Sequence, residues 1–114
     1  MHPDLFINNR AVKDESELEK LFSLTNFSCQ VNDYSLEVEF SKDGSAFIGW
    51  LNLDEEIFYY NNGSDNHAPV NLCINVCPEE RMMCYDVGII RDIVMHFCET
   101  GMRNPKYQWI EDTF

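Results

Sequence analysis

Leu36, Val38 and Phe40 alternate with Glu37, Glu39 and Ser41, and Lys42-Asp43-Gly44-Ser45 follows at once. A two-residue period is that of a β-strand, and it places the apolar side chains on one face and the carboxylates on the other. Asp-Gly tolerates the positive φ of a tight connection, so the chain is expected to reverse there. The returning strand runs from about Ala46 to Leu53. A second turn at Asp54, Glu55 and Glu56 leads into Ile57, Phe58, Tyr59 and Tyr60, whose aromatic and β-branched side chains favour a third strand. The rest of the chain must fit around this antiparallel meander with its acidic outer face.

Before the meander, Asp14 and Glu17 have capping-box spacing, and Leu18, Leu21, Phe22 and Leu24 supply an apolar stripe, so a short helix is expected over Glu15 to Leu24. Asn26 to Asp33 reads as a polar turn. After the meander, Asn61 to Asn66 is a run of turn formers. Val70, Leu72, Ile74 and Val76 then alternate with Asn71, Cys73, Asn75 and Cys77, which predicts a fourth strand ending before Pro78. Met82 to Tyr85 is a short extended piece. Asp86 is placed to cap a helix over Val87 to Thr100, with Ile90, Ile93, Val94 and Phe97 buried and Gly101 as its C-terminal cap. Tyr107 to Ile110 reads as a closing strand. The strands are segregated from the helices in place of alternating βαβ units. The expected fold is α+β, an antiparallel sheet of about four to six strands with two main helices on one face, forming a single domain over residues 1–114.

Twenty Asp and Glu against eight Lys and Arg give a formal charge of −12. A field of that sign repels phosphate backbones and anionic headgroups, which argues against nucleic acid and membrane as partners. It accelerates encounter with a basic protein, although it can also serve solubility alone. No apolar run approaches the ~20 residues of a membrane helix, and no signal-peptide pattern opens the chain, so a cytoplasmic location is expected. An odd set of five cysteines, Cys29, Cys73, Cys77, Cys84 and Cys98, fits reduced thiols better than a disulfide framework.

Catalytic constellations are not found. The five glycines are scattered and form no phosphate loop. Cys73, Cys77, Cys84 and His96 allow a zinc site to be drawn, but their spacing matches no standard knuckle, and ordinary sheet or core thiols account for them. Asp92 and His96, four apart on the second helix, read as a surface contact in preference to an acid/base pair. No catalytic, cofactor or metal residue is therefore assigned. The aromatic cluster Trp50, Phe58, Tyr59 and Tyr60 lacks the basic groove that base stacking requires. Aromatics beside acids suit a protein interface, although sheet packing explains them as well.

The segment DVGIIRDIVMHFCETGMRNPKYQWIED, Asp86 to Asp112, resembles the closing signature of the first numbered family of bacterial polymorphic-toxin immunity proteins. There an amphipathic helix ends in Phe and Thr-Gly and is followed by Pro, a short strand and Trp-acid. Phe97, Thr100, Gly101, Pro105 and Trp109 occupy those places, and SLEVEFSKDGSAFIGWLNLDEEIFYY is similar to the family's early strands. Ile110, between Trp109 and Glu111, and the cysteines from Cys73 to Cys84 depart from the pattern. The signature residues read as structural, with Trp109 packing the last strand against the second helix.

The resemblance implies a non-enzymatic immunity protein. Such a chain binds the toxic C-terminal domain, of nuclease or deaminase type, of a cognate bacterial toxin, one to one. The alternative is a small metal-binding domain or an adaptor of an unrelated complex. Asp54, Glu55, Glu56, Tyr59, Tyr60 and Asp65 are the expected partner-binding residues, because acidic turns beside aromatics combine steering with buried anchors.

Overall fold

Alternation governs the sheet. In a computed structural model, which describes residues 1–72 and 77–112, the elements in chain order begin with β1 (Leu5–Ile7), β2 (Arg10–Ala11) and α1 (Ser16–Glu19), which is prolonged by a 3-10 turn, Lys20–Ser23. The long strands follow: β3 (Asn26–Val31), β4 (Tyr34–Phe40), β5 (Ala46–Asn52) and β6 (Ile57–Asn61). A 3-10 turn at Glu80–Met82 leads to β7 (Met83–Cys84), α2 (Val87–Thr100) and β8 (Gln108–Asp112). All strand pairings are antiparallel in the order β2-β1-β3-β4-β5-β6-β8, with β7 joined to the start of β5 beside β6.

The α+β class and the meander agree with the sequence reading, but the sheet has eight strands where four to six were expected. Part of the difference is length: β1, β2 and β7 have only two or three residues, too few to display a period. The rest is β3. Its outward Asn26, Ser28 and Gln30 resemble a loop in composition, yet Phe27, Cys29 and Val31 are buried between them. Of the predicted strand from Val70 to Cys77, Cys73 to Val76 lie outside the described residues. At its flanks Val70 donates its N–H to the Pro78 carbonyl at 2.7 Å, and Pro69 bridges Glu79.

The first helix is shorter than expected. Glu17 accepts from the Asp14 and Lys13 amides, as its capping position requires, but the helix tightens to a 3-10 turn after one turn and ends before Leu24. The second helix spans the residues expected of it. Asp86 accepts from the amides of Gly88 and Ile89, and Gly101 terminates the helix at φ 76°, donating to the Phe97 carbonyl at 2.7 Å. A Cβ on Gly101 would lie 2.9 Å from Val31 Cγ1, so both the backbone angle and the close approach of β3 require glycine.

One core lies between the sheet and the helices. Leu18 and Leu21 from the first helical segment and Ile90, Ile93, Val94, Phe97 and Cys98 from α2 meet Phe27, Leu36, Val38, Ile48 and Trp50 of the sheet. Trp50 donates its indole N–H to the Gly101 carbonyl at 3.0 Å, which joins β5 to the end of α2. The final strand is tied in by Trp109, which donates to the Asn104 carbonyl, and by the preceding Tyr107, whose hydroxyl donates to Asp92 of α2 at 2.6 Å. Among the described residues no helix is long and apolar enough to cross a membrane.

Candidate functional site

Strand register defines the second face of the sheet, over which no described helix packs. Ser28, Glu37, Gly49, Tyr59 and Ile110 form one row across β3, β4, β5, β6 and β8. Gln30, Ser35, Leu51, Ile57 and Asp112 form the next, and Asn26, Glu39 and Phe47 a third. Glu37, Glu39 and Asp112 are the acids of these rows. None of the eight Lys and Arg residues lies in any of these five strands.

Three of the arginines are engaged elsewhere. Arg81 pairs with Glu79 at 2.8 Å, and Arg91 forks onto both carboxylate oxygens of Glu19. The Arg103 guanidinium lies 3.4 Å from the Phe58 ring centroid and 4.8 Å from that of Trp50, on the core side of the sheet. No basic residue of these five strands offsets the negative charge of the open face.

Between the rows lies a hollow of about 350 Å³ bounded by Glu37, Glu39, Phe47, Gly49 and Tyr59. Gly49 shapes its floor. The Tyr59 ring lies over Gly49, where a Cβ would rest against it at 3.4 Å, and meets Phe47 at 5.2 Å between centroids. The Tyr59 hydroxyl donates to Asp112 Oδ2 at 3.3 Å, and burial together with the Asp112 charge raises the phenol above its ordinary value, keeping it a donor. Glu37 accepts from the Ser28 hydroxyl at 3.1 Å. Glu39 Oε2 is buried and has no hydrogen-bond partner among the described residues.

The hollow extends to Leu51 and Ile57 and so adjoins the β5–β6 turn. There Asn52 Oδ1 accepts from the amides of Asp54 and Glu56, and its Nδ2 donates to Glu56 Oε1 at 2.7 Å. This bonding holds Glu55 at φ 67° and leaves Asp54, Glu55 and Glu56 exposed. Of the six expected partner-binding residues, these three and Tyr59 are therefore brought together.

Tyr60 and Asp65 are not part of that group. Tyr60 faces the core, only 6% exposed, and packs edge-on against Tyr107 and Trp109. Adjacent residues of a strand point to opposite faces, so Tyr59 and Tyr60 cannot share a surface. Asp65 is exposed in the loop after β6, at the opposite end of that strand from the turn. Phe47, Gly49 and Asp112 were not singled out in the sequence reading. Glu37 and Glu39 read as an outward face, and the pairing of Glu39 with Phe47 and of Glu37 with Gly49 follows once the meander register is counted back from the Asp43-Gly44 turn.

Cys84 is buried and its thiol approaches the Asp86 carbonyl at 3.5 Å, Cys77 is exposed, and Cys73 lies outside the described residues. Among the described residues no three His, Cys, Asp or Glu side chains are grouped as a metal site. Asp92, expected to contact His96, instead accepts from Tyr107, whose hydroxyl is pushed up to about 12 by that bond and by burial. Cys29 packs in the core beside Cys98, and this neighbour and burial push its thiol well above the ordinary value, unlike a reactive cysteine. Comparison with family models, curated proteins and solved structures finds no match for this chain.

Proposed function

We propose that this chain is an immunity-type inhibitor that binds a basic protein, the toxic C-terminal domain of a cognate bacterial toxin, one to one in the cytoplasm. The observation that carries this reading is the open sheet face. Two aromatic rings, three strand carboxylates and an exposed acidic turn adjoin one another, and the five strands beneath contain no Lys or Arg. Such a face attracts a cationic partner from a distance and offers rings for close contact. A nuclease or deaminase that acts on a polyanion carries a basic cleft, which is the complementary surface. The resemblance of Asp86 to Asp112 to an immunity family points to the same class.

The test is co-expression with the C-terminal domain of the protein encoded immediately upstream, followed by purification and kinetics at low and high salt. Expected are rescue from toxicity, a stable complex, and association that slows as salt rises. Reversing Asp54, Glu55 and Glu56 to Lys should slow association by about tenfold at low salt. Toxicity that persists with the chain present in excess, and no complex at either salt, would remove the reading.

A further inference from the structure

We infer that the hollow bounded by Glu39, Phe47 and Tyr59 receives an arginine side chain carried by the partner protein. This rests on the protein-binding reading above and adds to it the chemistry of the contact. Glu39 Oε2 is a buried acceptor without a donor among the described residues, an arrangement the free chain carries at a cost. Glu37 lies on the same strand face two residues away, and the surrounding strands contain no Lys or Arg. No described residue supplies Glu39 Oε2 with a donor, and the local charge favours a cation from a partner.

The walls select among cations. Phe47 and Tyr59 present rings to the hollow opposite a carboxylate. A planar guanidinium can lie on an aromatic ring while its N–H groups reach both carboxylate oxygens, whereas an ammonium is a strongly hydrated point charge. The same combination is already filled once within the chain. Arg91 forks onto Glu19 and lies 5.2 Å from the Phe22 ring centroid. At the hollow the carboxylate and the rings are present, and the arginine is left for a partner to supply.

The decisive experiment is an NMR titration of the full chain with N-acetyl-arginine amide, its lysine and citrulline counterparts, and free L-arginine. Blocked arginine should shift the amides of Glu37, Glu39, Gly49 and Tyr59 saturably and lysine less, while uncharged citrulline should leave them unmoved. Glu39→Gln should weaken arginine binding at least about tenfold while raising the melting temperature of the free chain, because the buried oxygen without a donor no longer carries charge. A residue with a purely structural role would not produce that opposite pair of changes. Phe47→Leu keeps apolar bulk without a ring and should weaken binding several-fold, which preserves the test if the first variant folds poorly. Failure of arginine to shift these amides, an equal response to citrulline, or an unchanged response in Glu39→Gln overturns the proposal. So does much tighter binding of free L-arginine, which would mark a metabolite site, or shifts that follow protein concentration, which would mark self-association. A toxin domain bound equally well by Glu39→Gln would overturn this hollow as its anchor and leave the inhibitor reading standing. Lack of any toxin partner beside a positive arginine titration would do the reverse.

Discussion

On the covered face of the sheet, Trp50 buries its ring in the core and gives its indole N–H to Gly101, and Tyr60 is enclosed by Tyr107 and Trp109. One residue away on the same strands, Gly49 and Tyr59 border a hollow where a buried oxygen of Glu39 has no donor among the described residues. The strands and residue types are shared; the two faces differ in whether polar groups are satisfied. A face optimised for stability satisfies its buried donors and acceptors, whereas one built to receive another molecule can leave an acceptor waiting. An unmet polar group beside fully met ones is therefore a better pointer to function here than exposure or charge alone.

The sharpest way to break this comparison is to truncate the two neighbouring tyrosines. Tyr60→Ala should cost about 3–5 kcal/mol of stability, as for other buried aromatics, while Tyr59→Ala should cost less, about 1–2 kcal/mol, since its ring is only partly buried. Urea denaturation of the two variants measures the gap, and equal losses would mean that both faces are structural. Gly101→Ala comes next, with an expected loss of about 2–3 kcal/mol from left-handed strain and the clash with Val31. It should leave arginine binding at the hollow unchanged wherever the chain remains folded, as titration under native conditions would show.

Asp86→Ala removes the N-terminal cap of α2 and should lower stability by about 1 kcal/mol, again without altering binding. The smallest effect concerns Glu79. In the folded chain Arg81 and His67 hold its carboxyl below the ordinary 4.5. The associated stabilisation is present above that pH and is lost as pH falls through the lower folded-state value. Denaturation midpoints of the parent and of Glu79→Gln should accordingly differ slightly near neutral pH and converge in acid.

Legibility followed periodicity. The hairpin from Tyr34 to Asn52 and the helix Val87–Thr100 were readable because each repeats its period several times and is bounded by a strong stop, Gly44 in one case and Asp86 with Gly101 in the other. β3 was not, since polar outward residues hid the alternation of Phe27, Cys29 and Val31, and the two-residue strands were beyond any pattern. For the site, composition points to Asp54, Glu55, Glu56 and Tyr59, and the fold places these beside the open face. Tyr60, expected there as an aromatic anchor beside the acidic turn, faces the core instead, because neighbours on a strand point to opposite faces.

The sequence by itself determined the acidic charge, the antiparallel meander, the capped second helix and the outward position of Glu37 and Glu39, because all of these depend on neighbours within a few residues. Tertiary structure alone decided that Tyr59 of β6 meets Phe47 across β5, that the hollow beside them adjoins Glu37 and Glu39, and that Arg81, Arg91 and Arg103 find their partners away from it. Those relations depend on register between strands and on where the folded chain spends its cations, and neither is encoded in any local window.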